Sequence, residues 1–357
     1  MGKEKNYEKK GINFKEFPQK AKTFFKELPG KIKTFNWKEW AKDNIFSLVA
    51  IGGFIVLLIV FSFLPQLMRG SRVTFWRPAV LSAYIEQATV YLILALGACF
   101  VYLMGSMDIS VGYQVAVFAT IFIVIVNATG SIFLALLTIV LLGLICAVFN
   151  AFVGAYVKLP TVMSSVILMQ LFSGLTTYLY ADSGFSSRPL TNVSLSVLNQ
   201  TWVRILVLIA LACVAFYLTN YTVVGKRAKA VGSNKLAAQM AGADLLKTRV
   251  LCYGAFALFL CVAAVFSIAR KDSFGEADSV SYQMDIMIML LMGGMPLSGG
   301  YKGRVLNTVV GTLTYVLLNV GLSLCGVSAE YVFLVRSVIF IVIVCLTCRK
   351  PGLLLPR

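Results

Sequence analysis

Histidine is missing from all 357 residues, and charged residues make up only 13% of them. The first absence removes imidazole proton relays and the commonest metal ligand. The second excludes a water-soluble globule, which carries about 25% charged residues. No Gly-x-x-x-x-Gly-Lys-Ser/Thr phosphate loop occurs, and Gly225-Lys226-Arg227 lacks both the upstream glycine and the hydroxyl that would hold Mg²⁺. A Gly-x-Ser-x-Gly nucleophile elbow is also missing. The chain therefore does not hydrolyse ATP by itself. Its eight cysteines (Cys99, Cys146, Cys213, Cys252, Cys261, Cys325, Cys345 and Cys348) fall almost entirely in apolar runs, which is no disulfide framework. They read as small packing residues, including the Cys345-Leu-Thr-Cys348 pair with its metal-like spacing.

What is present is apolar: 59% hydrophobic residues and a mean hydropathy of +0.84. A spanning helix takes ~20 mostly apolar residues. The runs predict an all-α, polytopic membrane protein of about ten transmembrane helices. They lie near 45–67, 79–103, 109–127, 131–157, 161–180, 202–219, 249–268, 282–295, 305–324 and 331–348. The eighth is short and flanked by glycine, the mark of a discontinuous helix. No cleaved secretory leader is expected, because the first apolar run follows a long polar stretch and is itself long enough to span. The organisation is thus a basic arm over 1–44, a membrane domain over 45–350 and a tail over 351–357.

The arm holds twelve Lys against six Asp or Glu, a net +6. Phe14, Phe17, Phe24, Phe25, Leu28, Ile32 and Phe35 recur near helical spacing, with Trp37 and Trp40 behind them. That pattern fits an amphipathic segment lying on anionic lipids, and it equally fits a disordered basic tail. Nucleic acid is not an expected partner, since the charge abuts a membrane helix. With both termini cytoplasmic, 24 of the 32 Lys and Arg fall on the inner side, as the positive-inside bias requires. Arg69, Arg72 and Arg77 run against it.

The largest inner loop, about 220–249, is basic and contains a helix-forming stretch from Lys235 ended by Gly242. It fits a docking surface for another protein or a plain charged connector. An internal echo aligns Leu103–Tyr113 with Leu291–Tyr301, 188 positions apart, with seven of eleven residues identical. Duplicated halves are common in transporters, where binding sites lie near glycine-interrupted helices. The span count makes such repeats parallel, and a miscount of one span makes them inverted.

Asp108 stands in an apolar stretch between Gly105 and Gly112. A carboxylate at the centre of a membrane helix costs ~2.5–3.5 kcal/mol on the gentlest scale. It reads either as part of a broken helix shaping a solute path or as a helix cap accepting N–H bonds from the residues that follow. Ser110, Asn150, Thr161 and Asn319 are neutral groups able to bond sugar hydroxyls or to hold helices together. Glu86, Asp285, Glu330 and Arg336 are the other ionisable groups in or near spans, with Glu330 and Arg336 expected at helix ends.

The stretch Gly105-Ser-Met-Asp-Ile-Ser-Val-Gly112 resembles the Gly-Ile-Asp-Leu-Ser-Val-Gly motif of bacterial ABC-transporter permeases for monosaccharides of the ribose, xylose and galactose type. Ala230-Val-Gly-Ser-Asn-Lys-Leu-Ala-Ala-Gln-Met-Ala-Gly242 is similar to their cytoplasmic segment. Leu291 through Gly303 and Leu317 through Val327 resemble two later motifs, in the same order. Together they cover roughly residues 90–345. The resemblance implies a permease subunit that pairs with a second permease subunit, docks separate ATPase subunits and receives solute from an extracytoplasmic binding protein. ATP and Mg²⁺ would sit on the ATPase, with no cofactor on this chain. It also implies that 226–247 is the coupling segment, with Gly232, Asn234, Ala237, Ala238 and Gly242 at the family's positions, and that Gly293, Gly294, Gly299 and Gly300 form a glycine-rich turn. Ser106-Met107 before Asp108 and the long arm depart from the family pattern. Related permeases for nucleosides or branched-chain amino acids read Asn-Leu-Gly at the Asp108 segment, which tilts the expected solute toward a monosaccharide. An ion-coupled secondary transporter using Asp108 or Glu86 is the competing expectation.

Overall fold

The computed structural model describes residues 45–348 apart from 70–73, 158, 182–186, 276–277, 279–280 and 297. The basic arm and the C-terminal tail lie outside the described residues, as do the side chains of Cys345 and Cys348.

The helices are α1 (Ile45–Arg69), α2 (Pro78–Leu103), α3 (Val111–Thr129), α4 (Ile132–Phe152), α5 (Thr161–Ala181) and α6 (Thr201–Tyr221). After them come α7 (Val223–Ser233), α8 (Lys235–Met240), α9 (Leu245–Lys271), α10 (Tyr282–Met292), α11 (Val305–Leu324) and α12 (Ala329–Cys348). Among the described residues, eight of them, α1 to α6 with α9 and α11, are long and apolar enough to cross a membrane. The expected eighth and tenth runs appear as α10 and α12. At 11 residues, α10 reaches only about 16 Å, well short of a bilayer core. The run expected over 131–157 stays α-helical to Phe152 and then continues as a π-helical turn over Val153–Val157.

Two helices form the centre. α2, begun by Pro78 at its first turn, is buried on every face from Ala88 to Leu103. A helix apolar all round needs protein or lipid on all sides, and here it is protein. α9 packs along it and also against α4. A Cβ added at Gly143 on α4 would lie 3.3 Å from the Ala257 Cβ on α9. Small residues of this kind let helices approach where lipid tails supply no hydrophobic drive. α1 and α6 lie at the periphery and expose rows of large apolar residues, among them Val49, Ile59, Phe63, Ile205 and Ile209. An antiparallel ribbon, Ser187–Pro189 with Ser273–Gly275 in the register Arg188↔Phe274, is the only sheet among the described residues.

Candidate translocation site and coupling junction

The chain between α2 and α3, Met104 to Ser110, is not helical. Gly105 ends α2 at φ +69°, its N–H bonding Tyr102 O at 2.9 Å while the Ser106 N–H bonds Val101 O at 3.2 Å. This is a Schellman closure, which uses a left-handed residue to satisfy orphan carbonyls. Gly294 ends α10 in the same way, at φ +79°, with Gly294 N to Leu291 O at 2.8 Å and Met295 N to Leu290 O at 2.9 Å. The matched glycines are thus Gly105 and Gly294, one residue out of register with the sequence echo, which pairs Gly105 with Gly293. The same closure ends α8 at Gly242 and α11 at Gly326. The echo therefore begins as a shared helix-stop signal, and beyond that turn the two segments diverge.

Beyond the first stop, polar side chains fill the break. Asp108 is buried, and its Oδ1 accepts from the Ser110 backbone N–H at 2.8 Å and from Ser110 Oγ at 2.5 Å. Gln114 Nε2 donates to Ser110 Oγ at 2.6 Å, and Asn150 Nδ2 on α4 donates to Asp108 Oδ2 at 3.3 Å. Asp108 thus sits in the helix break and accepts the N–H that precedes α3. Gly112 is buried in the first turn of α3. Gln114 was not among the expected residues, although its position four after Ser110 places both on one helical face.

A cavity of about 830 Å³ opens beside this break, lined by Ser106, Thr161, Asn234, Arg249 and Ser298 among others. That volume lies within the range of small-molecule sites. Arg249 is 9% exposed, and its Nη1 has no hydrogen-bond partner among the described residues. Asp108, Ser110 and Asn150 do not line this cavity; they bond one another within the break. Arg249 had no sequence signal beyond a charge near the start of a span.

Asn319 belongs to a second cluster. Arg336 on α12 bonds Asn319 and, at 3.3 Å, Asp285 Oδ1 on α10, while Tyr91 Oη on α2 donates to Asp285 Oδ2 at 3.1 Å. The Arg336 guanidinium also lies 5.0 Å from the Tyr315 ring centroid. Arg336 stands well inside α12 rather than at its end. It satisfies a carboxylate that would otherwise be costly to bury. Glu86 similarly pairs with the buried Arg204 at 3.4 Å. Tyr91 precedes Leu103 by about 18 Å of helix, so these clusters lie at different depths along α2.

The loop over about 220–249 is helical almost throughout, as α7 and α8. Asn234 caps α8, its Oδ1 accepting from Ala237 N at 3.1 Å. Ala238 is buried, whereas Ala237 and Gly242 are exposed. The C-terminal turn of α7 meets both helix breaks. Gly300 N donates to Leu103 O at 2.9 Å, satisfying a helix-end carbonyl that has no partner within its own helix. A Cβ on Gly232 would overlap that same Leu103 oxygen and come within 2.6 Å of Gly300 N. Next to it, Ser233 Oγ accepts from Tyr301 N at 3.1 Å. Gly299 packs its backbone on Gly105, and Gly293 packs on the first turn of α11. Backbone thus touches backbone among three segments that are far apart in sequence.

A family model described as the branched-chain amino acid transport system permease component matches residues 80–344. The chain belongs to this permease family. The permease is 26% identical over 276 residues to the ribose import permease protein RbsC of Escherichia coli K12, covering 74% of this chain and 84% of that protein. It is 25% identical over 331 residues to the galactose/methyl galactoside import permease protein MglC of the same strain, covering 87% and 97%. It is 26% identical over 307 residues to the fructose import permease protein FruG of Bifidobacterium longum, covering 82% and 88%. No solved structure matches the permease. Its spans and its relatives make it a multi-pass membrane protein.

Proposed function

We propose that this permease is the membrane subunit of an ATP-binding-cassette importer and moves a monosaccharide by alternating access. The sugar import permeases among its relatives support the solute class. The observation that carries the mechanism is the junction at Gly232, where the last turn of α7 touches the ends of both helix breaks. A push on α7 and α8 by a separate ATPase would reach Leu103 and Gly300 through packed backbone, with no compliant side chain between. α2 and α10 lead from those points toward the core, and the cavity lined by Ser106, Thr161 and Arg249 would be the inner end of the path. In this reading the termini and the α7–α8 segment are cytoplasmic. An extracytoplasmic binding protein delivers the sugar, and a second permease subunit completes the path. Binding moves such an equilibrium only through different affinities for the two states.

The test is uptake of labelled ribose, galactose, fructose and leucine by cells in which this chain is the sole permease supplied. ATP-dependent uptake of a sugar, together with co-purification of an ATPase, is the expected result. Uptake that follows a proton or sodium gradient in ATP-depleted vesicles would overturn the importer reading, and leucine uptake alone would overturn the solute class.

A further inference from the structure

The cavity of about 830 Å³ beside the first helix break is electropositive on two of its walls. Arg249 and Lys235 line it, and no acidic side chain does so among the described residues. Arg249 is built into its wall. It is nine-tenths buried, and its Nη1 lacks a hydrogen-bond partner among the described residues. None of the ion pairs formed there includes it. The guanidinium rests on Gly154 in the π-helical turn after α4, where an added Cβ would overlap it. Asp108 does not line the cavity; its oxygens bond Ser110 and Asn150. A second wall is the start of α5, where Thr161 and Val162 face the same space. The first turn of a helix carries N–H groups without intrahelical partners and the positive end of the helix dipole.

We propose that this cavity is an oxyanion site and takes the phosphate of a phosphorylated sugar between Arg249 and the start of α5. A guanidinium withdrawn from water is costly without a charged partner, and a neutral hydroxyl supplies none. Its planar fork matches phosphate oxygens in pairs, and helix N-termini bind the same group. Ser106, Ser298 and Asn234 line the remaining side, where their hydroxyl and amide groups suit the hydroxyls of the attached sugar. A space of this volume is sized for a small organic molecule, beyond what a bare ion fills. Gly232 lines the cavity too, so the ligand would sit against the junction and tie α5, α7 and α9 together. A sugar phosphate is what phosphoryl transfer makes from an imported monosaccharide, and its binding here would restrain further import. That consequence rests on the import function proposed above, whereas the anion site does not.

Thermal unfolding of the full chain in phosphatidylcholine nanodiscs, at fixed ionic strength, tests the site directly. Ribose 5-phosphate should raise the unfolding midpoint and inorganic phosphate should raise it less. Ribose and gluconate should leave it near the unliganded value. Arg249→Gln should weaken the apparent affinity for ribose 5-phosphate by roughly tenfold or more. Without ligand it should unfold no earlier than the wild type, because a partnerless buried charge is gone. Ser298→Asp, at an exposed position, supplies the missing carboxylate and should abolish protection, whereas Ser298→Asn should keep it. Unchanged protection in Arg249→Gln or in Ser298→Asp would overturn the proposal, as would a wild type protected by neither phosphate. Earlier unfolding of unliganded Arg249→Gln would overturn it too, by giving the guanidinium a packing role. Equal protection by ribose would remove the need for an anion, and equal protection by inorganic phosphate would remove the sugar. Protection by gluconate alone would make the ligand a carboxylate and sink the assignment to phosphate. No readout depends on uptake, so this site and the import function fail separately.

Discussion

In the break after α2, Asp108 gathers Ser110 and Asn150, and Gln114 buttresses Ser110. In the break after α10, no ionisable side chain occurs between Gly293 and Gly300, and the chain is held by backbone resting on backbone. Both helices nevertheless stop through the same left-handed glycine and the same pair of hydrogen bonds. What differs is how the freed polar groups are satisfied once the helix has ended. A break filled by side chains is fixed in one arrangement by directional bonds. One made of glycine brings backbone against backbone, and its link to α2 is the Gly300 N–H bond to Leu103 O.

Six substitutions at five positions sharpen this contrast. Gly232→Leu should be the most damaging, because it drives a side chain into Leu103 O and Gly300 N and so disturbs both breaks together. Uptake should be abolished, and thermal unfolding in detergent should show a loss at or above the usual 1–3 kcal/mol of overpacking. Near-normal uptake would dissociate the α7 turn from coupling. Asp108→Ala strikes the first break alone and leaves Ser110 and Asn150 without their acceptor, a loss of about 1–3 kcal/mol. Asp108→Asn, which keeps an acceptor, should retain most of that stability. If alanine and asparagine behave alike, the carboxylate does not organise the break.

Gly105→Ala and Gly294→Ala test whether the two stops are equivalent. Each places a Cβ at positive φ, at a cost of roughly 1–2 kcal/mol. Gly105→Ala should cost more, since its Cβ would also lie 2.6 Å from Ser298 O. Equal unfolding shifts would remove the distinction drawn between the breaks. The smallest effect is expected from Asn234→Ala, which removes the cap of α8 for about 1 kcal/mol and leaves both breaks intact. Its uptake should fall only modestly, and a collapse comparable to Gly232→Leu would move the coupling point from α7 to α8.

Much of the frame was legible before any coordinates. The ten apolar runs correspond to eight spanning helices together with α10 and α12, and the shortness of α10 was readable from the glycine after its run. Asp108 and Gly105 marked the first break. The echo between Leu103–Tyr113 and Leu291–Tyr301 was visible as well, but its register was misleading: identity counts residues, whereas helix closure depends on which residue can take positive φ. Arg249, Gln114 and the Asp285–Arg336 pair were not legible as site members. Each looked like an isolated polar residue near a span, and its meaning lies in a partner or a cavity contributed by another helix.

The sequence by itself determined that the surrounding solvent is lipid and where the apolar runs that meet it lie. These follow from windows of about twenty residues, because a membrane helix satisfies its own backbone and is therefore locally encoded. Only the tertiary structure decided that Gly232 meets Leu103 and Gly300, that Arg336 reaches Asp285, and that Asp108 meets Asn150 instead of lining the cavity. Those are contacts between distant segments, set by which helix faces pack, and no single stretch of the chain contains them.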